Sequence, residues 1–159
     1  MLEAIRQNLF AFSEAHKILR GDRSFVLAAM KYEVRVLQFA SQDIRDDLAF
    51  MWIAMADNVW AIQFAGKKIQ ENEKIILQAV KIDGNTLQFA AAKLSGNEAI
   101  VREAIKQSKC AIQYASASLT NNFDFMIEMI KQDGWMHRFA GIELRGNKKY
   151  MRAAIMIHG

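Results

Sequence analysis

Hydrophobic and polar positions recur along this chain with a period of 25 residues and no insertion. The clearest mark is an aliphatic residue, a glutamine, an aromatic and an alanine: Leu37-Gln38-Phe39-Ala40, Ile62-Gln63-Phe64-Ala65, Leu87-Gln88-Phe89-Ala90 and Ile112-Gln113-Tyr114-Ala115. A branched aliphatic follows at one phase (Leu19, Ile44, Ile69, Leu94, Leu119, Leu144), and three residues later comes Asp22, Asp47, Asn72, Asn97, Asn122 or Asn147. A fixed period of this size marks units that cannot bury their apolar face alone and become stable by stacking on copies of themselves. Register holds at both ends, since Leu2, Ala4 and Ile5 align with Leu27, Ala29 and Met30, and Tyr150, Ala154 and Ile155 with Phe125, Met129 and Ile130. Residues 1–159 therefore read as one repeat domain, and the whole as a piece of a longer array or protein.

Each unit reads as two helices. The first has apolar residues at four phases, such as Ile75, Ile76, Ala79 and Val80, which fall on one helical face. The recurring Asp or Asn is its expected N-cap, worth about 1 kcal/mol, and Gly84 and Gly134 are expected to end it in the left-handed conformation. The second helix is expected to run unbroken from about Val36 to Arg45, burying Leu37, Ala40, Ser41 and Ile44, with Phe39 at its edge. Two columns of small residues, Ala40, Ala65, Ala90, Ala115, Ala140 and Ser41, Gly66, Ala91, Ser116, Gly141, let neighbouring units approach closely. Short returns such as Ser95-Gly96-Asn97 imply antiparallel neighbours. The expected fold is all-α: a right-handed α-solenoid of about six 25-residue helix-turn-helix units.

Three elements together, Leu-Gln-Phe-Ala-Ser in the second helix, a closing Ile-Arg or Leu-Arg, and Val-Leu-Ala-Ala-Met-Lys in the first, resemble the short helical repeat known as domain of unknown function 4116. The block from Ile76 to Ala90 carries nearly every typical element in order, while His137-Arg138 and Ser13-Glu14 depart from the Leu-Gln pair. The resemblance covers essentially the whole chain. It implies a repeat array with no assigned chemistry, of a kind found in intracellular bacteria and protists, often within longer proteins that include suspected host-directed effectors. Delivery to a host cytosol enters only through that resemblance.

Composition narrows the field. A single cysteine, Cys110, forms no internal disulfide and fits a reducing, cytoplasmic setting. The start lacks a basic flank followed by an apolar core, and no run approaches the roughly 20 apolar residues that span a bilayer. The net charge of +4 comes wholly from the second half, where residues 81–159 hold eleven Lys/Arg against seven Asp/Glu. That excess is small for a dedicated nucleic-acid binder. No His, Cys or carboxylate cluster has metal-ligand spacing, and Cys110 has no positioned base. The expectation is a non-catalytic scaffold without cofactor or metal that binds an unknown protein partner. The alternatives are a nucleic-acid-binding solenoid or a structural module of a larger enzyme or bacterial effector.

Several columns are candidates for contact. The glutamines Gln38, Gln63, Gln88 and Gln113 are read as buried amides that bond to a neighbouring copy or turn, and secondarily as a ligand-reading row. Arg6, Lys31, Lys81, Lys106 and Lys131 stand near helix C-termini, where the dipole favours cations, with a phosphate-tracking stripe as the alternative; Glu33, Asp83 and Asp133 weaken it. A partner is expected along Gln42, Trp60, Lys67, Trp135, Arg138 and Ile142, with the two tryptophans partly exposed. Ser13, Glu14, His16 and Lys17 suit a polar end cap. Ile155, Met156 and Ile157 form an uncovered apolar end suited to self-association.

Overall fold

The computed structural model describes residues 10–158; Leu2, Ala4, Ile5 and Arg6 lie outside them. Among the described residues every regular element is helical. The long helices are Arg23–Met30, Leu48–Asp57, Glu73–Ile82, Glu98–Gln107, Phe123–Gln132 and Lys148–His158. Each begins on the recurring Asp or Asn, whose side chain accepts a backbone N–H of the first turn, from Asp22 to Phe25 (2.9 Å) through Asn147 to Tyr150 (3.2 Å). The N-cap expectation is met at all six positions.

Helix termination differs from the expectation. No described residue has positive φ, so Gly84 and Gly134 are not left-handed caps. The chain instead leaves Leu48–Asp57, Glu73–Ile82, Glu98–Gln107 and Phe123–Gln132 through one extended residue, such as Asp83 (φ −143°, ψ 113°). Its N–H still bonds the last turn, and, except at Ser108, its side chain caps the next helix: Asp83 Oδ1 accepts the N–H of Asn85 at 2.9 Å, and Asn58 Oδ1 that of Trp60 at 3.0 Å. Gly84 serves a different purpose, since a Cβ there would lie 2.1 Å from the Ala104 carbonyl oxygen of the next unit.

The expected second helix is split. A 3₁₀ helix comes first (Val34–Phe39, Val59–Phe64, Gly84–Phe89, Lys109–Tyr114, Gly134–Phe139), then two extended residues, then a single α turn (Gln42–Arg45, Lys67–Gln70, Ala92–Ser95, Ala117–Thr120, Ile142–Arg145). The break has a physical cause. The N–H of Ser41 donates to the Arg20 carbonyl of the preceding unit at 2.8 Å, and Gly66, Ala91, Ser116 and Gly141 repeat the bond to Arg45, Gln70, Ser95 and Thr120 at 2.8–3.0 Å. A backbone donor committed to the neighbouring unit has none left for its own helix. The second small-residue column thus marks a stapled chain crossing, where backbones meet directly.

Principal contacts join elements of the same or consecutive units: 3₁₀ helix on 3₁₀ helix, and long helix on long helix, as Glu73–Ile82 on Glu98–Gln107. One apolar core runs from Phe12 to Tyr150, with Val26, Phe50, Ile75, Ile100 and Phe125 among its members. The molecule is an all-helical stack of tandem repeats.

Candidate functional site

A 3₁₀ helix has three residues per turn, so positions i and i+3 eclipse. Each unit therefore sets two residues on its outward face: Arg35 with Gln38, Trp60 with Gln63, Asn85 with Gln88, Cys110 with Gln113, Trp135 with Arg138. The glutamines are exposed, which corrects their reading as buried amides. Their aliphatic neighbours Leu37, Ile62, Leu87 and Ile112 take the inward face and are buried. Gln88 Nε2 donates to the Asn85 carbonyl at 3.0 Å, whereas no hydrogen bond joins the side chain of Gln38, Gln63 or Gln113 to any described residue.

The next residue in each 3₁₀ helix is aromatic and half-buried: Phe39, Phe64, Phe89, Tyr114 and Phe139. The glutamine and aromatic rows adjoin. Trp60 meets Phe89 of the following unit edge to face, with centroids 5.9 Å apart, and the Arg138 guanidinium lies 6.0 Å from the Trp135 ring and 5.6 Å from that of Phe139.

At the first of these helices the carboxylate of Glu33 bonds Arg35 Nη2 at 2.8 Å and the Arg35 N–H at 3.1 Å. The guanidinium bond, foremost, holds the Glu33 carboxyl below its ordinary range. Glu33, Asp83 and Asp133 are therefore helix caps first and surface charges second.

The six residues expected to touch a partner divide by environment. Trp135 and Ile142 are 72% and 77% exposed, with Arg138 exposed between them. Trp60 is half-buried against Phe89 and belongs to unit stacking. Gln42 is exposed but engaged, its Nε2 donating to Asp46 and its Oε1 accepting from Arg45, each at 2.7 Å. Lys67 is exposed on the turn Lys67–Gln70.

A cleft of about 640 Å³ opens beside the last 3₁₀ helix, lined by His137, Arg138, Arg145, Tyr150, Met151 and Ile155 among others. Ile155 is 64% exposed where its equivalent Ile130 is buried, and Met156 is exposed too. Ile157 is half-buried and packed on the core, which removes it from the expected open end.

A family model described as "Domain of unknown function (DUF4116)" matches residues 1–45, 22–70, 47–95, 72–120 and 97–145. The chain belongs to the DUF4116 family. Four of its matches begin on Asp22, Asp47, Asn72 and Asn97, the N-caps of the long helices, so the DUF4116 unit and the folding unit share one period. No curated protein and no solved structure matches the chain.

On the long-helix row of this DUF4116 array, part of the positive charge is locally balanced. Lys106 pairs with Glu103 at 2.9 Å, and Arg102 forks onto Glu128 at 2.6 and 2.7 Å while reaching Glu98 at 2.7 Å. The Arg102 hydrogen bonds hold Glu128 below the usual carboxylate range.

Helix Leu48–Asp57 stands apart, with Leu48, Trp52 and Ile53 exposed on its solvent side. The corresponding positions one and two units later are Glu73, Leu77, Gln78 and Glu98, Arg102, Glu103. A search for recurring residues passes over this patch, because its signal is a departure from the repeat: no charge lies between Asp47 and Asp57.

Among the described residues no group of three or more His, Cys, Asp or Glu is placed to hold a metal ion. Among the same residues no helix is long and apolar enough to cross a membrane.

Proposed function

We propose that this DUF4116 chain is a non-catalytic scaffold, a right-handed α-solenoid of about six units that binds another protein through its 3₁₀ row. The observation that carries this reading is the exposed pair Trp135 and Arg138 on the last 3₁₀ helix, with Ile142 exposed on the α turn that follows. A tryptophan and an isoleucine, each more than two-thirds exposed, bracket an arginine stacked on aromatic rings. Exposed Trp and Arg are the side chains that most often anchor protein interfaces. The long-helix row favours this reading over a polyanion partner, because Lys106 and Arg102 are already neutralised by carboxylates. Self-association through Ile155 and Met156 belongs to the same reading, and a monodisperse monomer by light scattering at high concentration counts against it.

The test is affinity capture with wild type and Trp135→Ala as paired baits, before and after nuclease, with thermal melting of both. A captured protein lost on substitution while Tm barely moves supports the proposal. Capture abolished by nuclease transfers the site to nucleic acid, and a large fall in Tm makes Trp135 a core residue.

A further inference from the structure

The glutamine row carries a sharper statement, which rests on the protein-binding reading and names the form of the partner. The neighbouring outward position on the 3₁₀ row has drifted: the residue three before each glutamine is Arg35, Trp60, Asn85 or Cys110. Glutamine alone persists in four successive units, at a place where it packs no core and, at Gln38, Gln63 and Gln113, bonds to nothing described. A surface residue without such duties is ordinarily free to change, because substitution there costs little. Its persistence within one chain marks chemistry that is used.

That chemistry is a ladder of neutral carboxamides, each with two donors and an acceptor oxygen. A peptide backbone offers the complementary acceptor and donor in every residue. A phosphodiester offers only charged acceptors, and the two cations of the 3₁₀ helices between Val34 and Tyr114, Arg35 and Lys109, are each already paired with a carboxylate, Glu33 and Asp133. Spacing selects the backbone conformation. Consecutive helices pack about 8–10 Å apart, and a polyproline II segment advances about 3.1 Å per residue with three residues per turn, so one turn of about 9 Å matches one unit. Every glutamine then meets the same side of the ligand. A β-strand turns its side chains over at every residue, so a three-residue step reverses its face from unit to unit. The half-buried rings of Phe64, Phe89 and Tyr114 beside the glutamines supply the aromatic wall on which apolar or proline side chains of such a segment rest.

We propose that the 3₁₀ row is a track for a polyproline II segment of about ten to twelve residues, read by Gln38, Gln63, Gln88 and Gln113 at one ligand turn per unit. The experiment selects random twelve-residue peptides displayed on phage against the full chain. The triple variant Gln63→Ala, Gln88→Ala, Gln113→Ala serves for counter-selection, and urea unfolding confirms that it keeps wild-type stability. The expected result is enrichment of peptides with proline or apolar residues every third position, binding at least tenfold more weakly to the triple variant. Enrichment of peptides that bind both proteins equally, a period of two, or no enrichment above the counter-selected background overturns the track. A partner lost with Trp135→Ala yet retained by the triple variant ends this inference and leaves the scaffold reading in place.

Discussion

Asp46 stands where a Cβ on Gly66 would have to be: its Oδ1 would lie 2.0 Å from that atom. From this position Oδ1 accepts the N–H of Lys68 at 3.1 Å, so a carboxylate of one unit caps the short helix of the next. Asn121 does the same beyond Gly141, accepting from Glu143 at 3.2 Å. Where the crossing residue is Ser41, the residue twenty positions earlier is Gly21, and Ser41 Oγ caps its own helix through the Ile44 N–H at 3.4 Å. The cap comes from either side of the crossing, and its bulk from one side only. Gly66→Ser alone is expected to displace Asp46 and cost about 1 kcal/mol, the worth of a cap. Gly66→Ser with Asp46→Gly rebuilds the Gly21–Ser41 arrangement and should recover most of that loss, as read by urea unfolding of the three variants.

Two glycines in similar turns should respond oppositely to alanine. At Gly84 the added Cβ meets the Ala104 carbonyl oxygen at 2.1 Å, a backbone atom that moves only with its helix. Overpacking of this kind costs about 1–3 kcal/mol. At Gly146 the nearest atom is the Glu143 carbonyl oxygen at 3.6 Å, and φ is −82°, so alanine fits. Gly146→Ala should stabilise by about 0.4–1 kcal/mol by reducing the freedom of the unfolded chain. A destabilised Gly146→Ala in thermal melts refutes that account of the return turns.

The features legible from the residues alone were those that depend on near neighbours in the chain. The caps at Asp47 and Asn72 act two or three residues ahead, and the buried columns of Ile75, Ile76, Ala79 and Val80 follow one helix period; both were legible. The break at Ala40–Ser41 was not, because the partner of the Ser41 N–H is a carbonyl 21 residues earlier. A 3.6-residue period carried through that break places Gln38 toward a neighbour. The true three-residue period pairs it with Arg35 and turns it outward. The likeness of Trp60 and Trp135 stops at their shared phase for a related reason: their surroundings are set by the following unit, where Phe89 covers one and nothing described covers the other.

Tyr150 gives a prediction in pH. Its ring is buried, its hydroxyl has no hydrogen-bond partner among the described residues, and burial pushes its pKa above the ordinary value. The unfolded chain ionises this phenol near pH ~10, while the folded chain keeps it neutral to higher pH. Stability is therefore unaffected below that value and falls as pH rises through it. Tyr150→Phe should flatten this alkaline decline. It should also raise stability at neutral pH by about 1 kcal/mol, because an unpaired buried hydroxyl is removed. Equal alkaline slopes for wild type and variant in denaturant unfolding contradict the assignment.

The two tryptophans should separate packing from recognition in a single measurement. Trp60 is half-buried with its ring edge to face against Phe89, so Trp60→Ala loses apolar burial as well as the ring contact. A double-mutant cycle with Phe89→Ala should return a coupling of about 0.5–1.5 kcal/mol, the range of such aromatic pairs. Trp135 is largely exposed and its one described ring contact is with Arg138, 6.0 Å away. A solvated cation–π contact is worth about 0.5–1 kcal/mol, so Trp135→Ala should cost no more than that, and the cost should disappear when Arg138 is also alanine. If Trp135→Ala proves as damaging as Trp60→Ala, its ring is holding the stack together and the interface must be sought elsewhere. The exposed side of Leu48–Asp57, with Leu48, Trp52 and Ile53, is then the surface to mutate first.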